Sequence, residues 1–272
     1  MRARQFGLII VGDEILSGKR ADKHMPKYIE ILAQRGLSLS WVEVVGDDRA
    51  RITATLKRAF ASDDIVISCG GIGATPDDHT RQCAAAALDV PLRLHPEAQR
   101  LIVSRMQDMA LENDHPFDPD SPENRQRLQM GVFPEGASIV PNPYNKIPGF
   151  ACTSPAGADV YFVPGFPVMA WPMMAWALDT YHADLFNVEA KQERSVIVMG
   201  AMEATLTPLM EQVEAQHPEI KVFSLPSVDH PVYGRHIELG VKGPKWAVSA
   251  AYADLQQGLH RFGVSFGPEL VR

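Results

Sequence analysis

The sequence predicts an α/β protein with a mostly parallel β-sheet between layers of helices, followed by a second, small α+β domain. Three observations support this fold class. Residues 6–11 and 65–69 are continuous apolar runs, which are typical of strands buried on both faces of a parallel sheet. Segments with helical apolar spacing follow the strands, so the order is β-α-β-α-β-α with right-handed crossovers. A shorter β-α-β-β-α pattern then begins near Ser195.

The elements of the first half follow from capping residues and apolar spacing. Asp22 is a predicted N-cap, and the helix after it ends near Gly36. Its predicted buried face has residues at spacings of three and four, namely Met25, Tyr28, Ile29, Leu32 and Ala33. A second strand is predicted over 37–45. Asp48 caps the next helix, whose predicted buried face consists of Ile52, Leu56, Ala59 and Phe60.

The rest of the chain predicts an insertion, two more strands and the small domain. Residues 92–127 predict a helix, a proline-rich loop and a short helix. Strands are predicted at 138–140 and 160–163, and the Met- and Trp-rich helix after Pro167 is interpreted as core or subunit contact rather than a cofactor site. The last predicted elements are strands at 195–199, 221–224 and 235–241 and helices at 203–216 and 246–262. The predicted domains are residues 1–187 and 193–272.

Composition excludes several classes of protein. The 272 residues carry a net charge of −7 and show no basic stripe, so no nucleic-acid partner is expected. No apolar run approaches the roughly 20 residues of a membrane span, and the N-terminus shows no secretory segment. The three cysteines form no CxxC pair and are typical of core residues in a reducing compartment. A soluble, cytoplasmic protein is expected.

The stretch from Cys69 to Thr80 is the strongest candidate for a functional site. Three glycines, Gly70, Gly71 and Gly73, lie within four positions after the third strand. Thr75 and Pro76 then predict a helix start, with Thr75 as the N-cap and an acid, Asp78, three residues later. A glycine loop that leads into a helix N-terminus binds anions, phosphates above all.

A second loop, with Gly12, Asp13 and Glu14, follows the first strand and therefore lies at the same edge of a parallel sheet. Asp13, Asp77 and Asp78 are interpretable as mere turn and cap residues. Lys23 and His24, which begin the first helix, are interpreted as solvated, with the alternative that both reach the same edge of the sheet.

Electrostatics favour a metal-assisted interpretation of the aspartates. A helix N-terminus stabilises an anion by about 0.3–1 kcal/mol. A carboxylate about 4 Å from a phosphate opposes binding by about 4 kcal/mol at an effective dielectric constant of about 20. A hard divalent cation, held by one or two carboxylates and the phosphate oxygens, resolves this conflict. The residues therefore predict a metal-dependent site for a phosphorylated ligand.

Segments 12–18 and 70–80 closely resemble the molybdopterin-binding (MoaB/Mog-like) domain family, and in particular the N-terminal region of CinA, the competence/damage-inducible protein. Residues 124–126, 140–143, 148–150 and 163–167 agree with the same branch. The similarity spans residues 7–181, and the pattern after Ser195 resembles the small domain that follows in CinA-like proteins. The resemblance implies a three-layer α/β/α fold. The sequence ends where a full CinA continues into its amidohydrolase domain, so that activity is not expected.

The resemblance also implies a pocket for a pterin or nucleotide pyrophosphate. Gly70, Gly71, Gly73 and Thr75 are then the phosphate cradle. Asp77 and Asp78 are the catalytic candidates, which hold a metal (Mg²⁺, Mn²⁺ or Co²⁺) or orient water. The other candidate ligand-binding residues are Gly12, Asp13, Glu14 and Thr80.

Three functions follow from the resemblance. Some CinA-type domains hydrolyse the pyrophosphate bond of ADP-ribose or FAD with a divalent metal, and this hydrolysis is the leading hypothesis. The alternatives are binding of molybdopterin or a nucleotide without turnover, and adenylyl transfer in molybdenum cofactor synthesis. The chain departs from the branch at Asp22-Lys23-His24, where relatives commonly carry Asn-x-Asn, and at 168–170, where they have an acid. The family also implies a homo-oligomer, for which the apolar helix over 167–180 is a candidate interface.

Overall fold

The structure is a computed structural model that describes residues 4–187 and 191–272. The chain divides into two compact units, Met1–Phe186 and Asn187–Arg272. Residues 1–3, which belong to the segment on which the expectation about secretion rests, lie outside the described residues. Among the described residues, no helix is long and apolar enough to cross a membrane.

A six-stranded mixed sheet forms the centre of the first unit, in the order β2-β1-β3-β8-β7-β6. Its parallel part is formed by β1 (Phe6–Val11), β2 (Leu39–Val45), β3 (Ile65–Cys69) and β8 (Asp159–Val163). The antiparallel edge is formed by β6 (Ser138–Val140) and β7 (Gly149–Thr153). Two short strands, β4 (Leu92–Leu94) and β5 (Val132–Pro134), pair separately. The mostly parallel sheet confirms the predicted fold class.

Helices cover both faces of this sheet, as the three-layer prediction requires. The unit contains α1 (Asp13–Leu16), α2 (His24–Ala33), α3 (Arg49–Phe60), α4 (Thr80–Leu88), α5 (Pro96–Glu112), α6 (Pro122–Leu128) and α7 (Pro167–Tyr181). Alternate residues of β1 enter opposite layers, because successive side chains of a strand point to opposite faces. Leu8 and Ile10 pack with α2 and α7, whereas Ile9 and Val11 pack with α3 and α4.

Several predicted elements are confirmed. The Asp48 carboxylate accepts a hydrogen bond from the Arg51 amide at 2.8 Å, and all four predicted apolar residues of α3 are buried. In α7, Met173 and Met174 are fully buried, in agreement with a core role.

The predicted buried face of α2 is partly wrong. Met25 and Ile29 are 39% and 46% exposed, whereas Ile31 and His24 are buried. The helix therefore packs on the sheet through a face rotated from the predicted one. Strand β7 was not predicted either, because Gly149 and Pro148 obscure a strand whose first four residues are nevertheless buried.

The second unit is a four-stranded antiparallel sheet in the order β10-β11-β9-β12. It comprises β9 (Lys191–Met199), α8 (Glu203–Gln216), β10 (Lys221–His230), β11 (Gly234–Pro244), α9 (Lys245–His260) and β12 (Ser265–Val271). The predicted β-α-β-β-α order is present, with β12 as an additional strand. β10 and β11 are longer than predicted. Their outer parts form a hairpin whose side chains are largely exposed, and these parts were not predicted because they lack the apolar pattern of a buried strand.

Candidate functional site

A cleft of about 720 Å³ lies at the carboxyl ends of the parallel strands. Its walls come from the loops after β1, β3 and β8, and Asp47 after β2 joins them. Ligands of open α/β sheets bind at this edge. Eight of the ten predicted site residues line it: Gly12, Glu14, Gly70, Gly71, Gly73, Thr75, Asp77 and Asp78. Asp13 and Thr80 do not belong to the lining.

The predicted helix start at Thr75 is wrong. α4 begins at Thr80, and residues 75–78 instead form a turn in which the Asp78 amide donates to the Thr75 carbonyl at 3.1 Å. The Asp78 carboxylate oxygen Oδ2 accepts from the amide and the hydroxyl of Thr75 at 2.8 and 2.5 Å. Only one half of the reciprocal bonding of a helix start is therefore present, the bond from the Thr75 amide to the Asp78 carboxylate, and it closes an isolated turn, because such side chains also bind the backbone in non-helical conformations.

Thr80 supports the glycine loop from the protein interior. Its side chain is fully buried, its hydroxyl donates to the Gly70 carbonyl at 3.1 Å, and its amide donates to the Gly71 carbonyl at 2.9 Å. The first N–H group of α4 is thus already bonded within the protein. Thr80 positions the loop and does not line the cleft.

The backbone of the loop requires glycine at its first position. Gly70 has a φ of +99°, and an added Cβ would lie 2.3 Å from the Val11 carbonyl oxygen. The loop therefore passes close against the end of β1. The amides of the next three residues donate no hydrogen bond to any acceptor within residues 4–187 and 191–272. These residues are Gly71, Ile72 and Gly73. Unpaired amides in a glycine loop form a ready site for an anion.

Arg81, which sequence patterns did not single out, supports the same loop from inside the protein. It is 5% exposed and donates to the Ile72 carbonyl at 3.1 Å. Burial lowers the pKa of this guanidinium, and the charge of Asp78 opposes that shift. A buried cation close beneath the loop raises the electrostatic potential where an anion would bind.

The loop after β1 is connected to the loop after β2 by two hydrogen bonds between aspartates. The Asp13 amide donates to the Asp47 carboxylate at 3.0 Å, and the Asp47 amide donates to the Asp13 carboxylate at 3.2 Å. Asp13 is therefore a positioning residue. Asp47 lines the cleft and was missed, because only the pairing of β1 with β2 brings it there.

The charges in the cleft are predominantly negative. Its lining contains four carboxylates, from Glu14, Asp47, Asp77 and Asp78. Burial raises the pKa of Asp47, and the charges of Asp13, Glu14 and Asp77 raise it further. Hydrogen bonding to Thr75 lowers the pKa of Asp77, which keeps this fully exposed carboxyl ionised.

Two cations, Lys19 and Arg20, line the same cleft. No carboxylate among the described residues forms an ion pair with either of them. They follow the turn at Gly18, and the Arg20 amide donates to the Glu14 carbonyl at 3.0 Å. The signal that could have found them is their position directly after the first acidic loop.

His24 corrects another prediction. It is 6% exposed rather than solvated, and its Nε2 lies 3.0 Å from the carbonyl oxygen of Gly165, a cleft residue. Its Nδ1 is buried and has no partner among the described residues. His24 therefore supports the Pro164–Phe166 wall. Lys23 is exposed, as predicted.

The oxygen donors of the cleft suit a hard cation that shares its coordination with a ligand. No group of three His, Cys, Asp or Glu side chains within residues 4–187 and 191–272 is arranged to hold a metal by itself. Magnesium is commonly bound by one or two carboxylates together with substrate phosphates and water. Asp77 and the second oxygen of Asp78 fit that mode of binding, since the protein need not supply a full set of ligands.

The fold and this cleft define a class of protein. Residues 7–183 match the family model described as "Probable molybdopterin binding domain". The chain therefore belongs to the molybdopterin-binding domain family, which confirms the resemblance inferred from the two loops.

Individual relatives are consistent with the CinA branch. The chain is 33% identical over 161 residues to a CinA-like protein of Anaeromyxobacter sp. (strain Fw109-5), covering 59% of this chain and 37% of that protein. The solved structure of the protein CinA with unknown function from Thermoplasma acidophilum matches with a TM-score of 0.55 and 26% identity, covering 68% of this chain and all of that one. A protein of Pyrobaculum calidifontis is 29% identical over 257 residues, 92% of each chain. The chain thus spans little more than a third of the CinA-like relative.

Proposed function

We propose that the protein hydrolyses the pyrophosphate bond of a nucleotide or pterin ligand with the help of a divalent cation. The observation that supports this most directly is the glycine loop, whose unpaired amides at 71–73 belong to residues that line an acidic cleft. Amides bind phosphate oxygens, and the acidic wall accommodates a cation that accompanies the phosphate. Neither feature alone specifies a phosphorylated ligand with a metal.

The excess of negative charge in the lining of the cleft favours a bound divalent cation. Four carboxylates face two cations in the lining, and each carboxylate about 4 Å from a phosphate opposes binding by about 4 kcal/mol at an effective dielectric constant of about 20. The N-terminus of α4 offsets little of this, because its first amide is already bonded to Gly71. When bound, a divalent cation supplies Lewis acidity to a phosphoryl group. Burial is the largest cause of the raised pKa of Asp47, and the negative charges of Asp13, Glu14 and Asp77 raise it further.

The chain's own residues have distinct roles in this proposal. Gly71 and Gly73 bind phosphate oxygens through their amides. Asp77 orients the water that attacks one phosphorus atom, the bond from that phosphorus to the bridging oxygen breaks, and two phosphate monoesters result. The proton that the water loses passes to solvent. Lys19 and Arg20 neutralise the charge that the departing phosphate gains.

The test is product release by the full chain. ADP-ribose and FAD are incubated with the protein and with Mg²⁺, Mn²⁺ or Co²⁺ in turn, and AMP is measured by mass spectrometry. We expect AMP from the wild type, loss of AMP in Asp77→Asn, and normal activity in Asp63→Asn. Asp63 is a matched control because it is exposed and precedes β3, at the opposite edge of the sheet. Absence of AMP from both substrates with all three metals refutes hydrolysis of a nucleotide pyrophosphate.

Ligand binding without turnover is the second candidate. It is favoured by Asp78, one of whose carboxylate oxygens is already bonded to Thr75 and is thereby withdrawn from a ligand. This candidate predicts that nucleotide or pterin pyrophosphates raise the melting temperature of the protein while no product forms. A melting temperature that is insensitive to all of these ligands contradicts it.

A further inference from the structure

A second cavity, of about 200 Å³, lies at the amino end of β8, whereas the acidic cleft lies at the carboxyl end of the same strand. The residues around it include Arg4 before β1, Asp159 at the start of β8, and His182 directly after α7. A cavity of this size holds about six water molecules at about 30 Å³ each, so a ligand that fills it is small. The proposed function uses none of these residues.

The two charged side chains of the lining neutralise each other. Arg4 donates from Nη2 to the Asp159 carboxylate oxygen Oδ2 at 2.8 Å, and the Thr153 hydroxyl donates to Oδ1 at 2.7 Å. Arg4 also donates from Nε and Nη2 to the carbonyl oxygens of Asp63 and Gly157, at 2.7 and 2.9 Å. The guanidinium is therefore held in one orientation, and each oxygen of the carboxylate already has a donor.

His182 supplies a donor that carries no charge. The residue is 4% exposed, and its Nε2 lies 2.9 Å from the Tyr161 hydroxyl in a buried contact. Because this hydroxyl has no other acceptor among the described residues, it donates to Nε2, which assigns the ring proton to Nδ1. Burial lowers the pKa of His182, while the charges of Asp159 and Asp184 oppose that shift and the charge of Arg4 adds to it. The ring is thus neutral at pH 7.

The hydrogen-bonding capacity left in the lining consists of groups that can donate. In the described part of the chain, four such groups have no partner, namely Arg4 Nη1, His182 Nδ1 and the hydroxyls of Ser138 and Tyr181. None of the four is a fully buried atom, so a ligand can reach them. A planar guanidinium with free N–H groups suits the two oxygens of a carboxylate.

We propose that this cavity binds a small organic monocarboxylate, which accepts hydrogen bonds from Arg4, His182 and Tyr181. A monoanion is favoured over a phosphate dianion, because the lining has no net charge to offset the larger cost of removing a second charge from water. The rings of Tyr161 and Tyr181, with centroids 6.1 Å apart, form an apolar wall for the rest of the ligand. The proposal goes beyond the proposed function and does not depend on it.

The experiment observes His182 directly. The full chain, with carbon-13-labelled histidine, is titrated with sodium acetate, and sodium chloride keeps the ionic strength constant. The imidazole signals are recorded by NMR, and the His182 signal is identified by its absence from His182→Gln. We expect a saturable shift with a dissociation constant of about 0.1–10 mM for a ligand of so few atoms. Bound acetate should also raise the pKa of His182, because a nearby anion favours the imidazolium.

Three variants locate the binding. Ser138→Trp closes the cavity from an exposed position on β6 and should abolish the shift. Ser40→Trp is the matched control, because Ser40 is exposed on β2, the other edge strand of the same sheet, and does not line the cavity. Tyr181→Phe keeps the ring of a side chain that is 50% exposed and loses only its hydroxyl. It should weaken acetate binding by about 2- to 12-fold for one hydrogen bond.

Each outcome decides the proposal. A saturable shift of the His182 signal that Ser138→Trp abolishes and Ser40→Trp retains supports the site. A His182 signal that does not respond to acetate, or a shift that persists in Ser138→Trp, overturns it. Titration with sodium phosphate at pH 8 checks the ligand class, and phosphate that binds as tightly as acetate contradicts the assignment to a monocarboxylate. None of these measurements involves release of AMP, so the proposed function is tested separately.

Discussion

Replacement of Gly70 by alanine tests how the glycine loop is built. Gly70 has a φ of +99°, and its new Cβ would lie 2.3 Å from the carbonyl oxygen of Val11. That oxygen belongs to the last residue of β1, which is paired on both sides with β2 and β3. Neither the strand nor the loop can move without loss of backbone hydrogen bonds, so both strain and overlap remain in the variant.

The expected loss of stability is the sum of two contributions. A non-glycine residue at positive φ costs about 1–2 kcal/mol, and an overpacked contact costs about 1–3 kcal/mol. Gly70→Ala should therefore lower the free energy of unfolding by about 2–5 kcal/mol. Gly18 is a matched control, since its φ is +71° but nothing lies within 4 Å of an added Cβ. Gly18→Ala should cost only the first contribution.

Urea unfolding followed by tryptophan fluorescence measures the difference. Trp41, Trp171 and Trp176 lie in the first unit and Trp246 in the second, so a Trp246→Phe background confines the signal to the unit that contains the loop. The same samples are titrated with methylenediphosphonate, which should bind more weakly to Gly70→Ala. If Gly70→Ala is no less stable than Gly18→Ala, the close approach of the loop to β1 does not exist as described.

Three further perturbations test other parts of the site and its support. Asp47→Asn should have the same melting temperature as the wild type at acid pH and a higher one at neutral pH. The pKa of Asp47 is raised in the folded state, so the ionised carboxylate destabilises the fold. This destabilisation of the wild type appears as pH rises through the folded pKa. A melting-temperature difference that is constant from pH 4 to 8 would contradict this. Thr80→Val should lower the free energy of unfolding by about 1–3 kcal/mol, because the Gly70 carbonyl loses its buried donor; urea unfolding measures it, with Thr207→Val as a control that removes an exposed hydroxyl hydrogen bond to a backbone carbonyl. Asp48→Ala should lower the same quantity by about 0.5–2 kcal/mol through loss of the α3 N-cap, and a retained stability in urea would show that the cap contributes nothing.

Local sequence patterns were sufficient for most helices and buried strands. The runs at 6–11 and 65–69 and the capped helix after Asp48 depend on neighbours in the chain, and all three are present. Patterns failed where burial comes from distant parts of the chain. Met25 and Ile29 fit a helical face as well as Ile31 does, and only the position of the sheet decides which residues are covered.

The candidate site was predictable to the extent that it depends on strand ends. Parallel neighbours place the residues after β1 and β3 at one edge, so Gly12, Glu14 and the glycine loop meet there. Asp47 and Phe166 lie on other loops and have no local signature of binding. Their positions in the cleft depend on strand order.

The sequence by itself determined the fold class, the family and the two acidic glycine loops, because periodicity, capping and motif spacing are properties of contiguous residues. The tertiary structure decided how those loops are used. It placed the start of the predicted helix at Thr80 instead of Thr75, and it buried Thr80 and His24 as supports. It also added Lys19, Arg20 and Asp47 to the cleft. These are consequences of packing between distant segments, since burial and electrostatic potential depend on the whole surrounding fold.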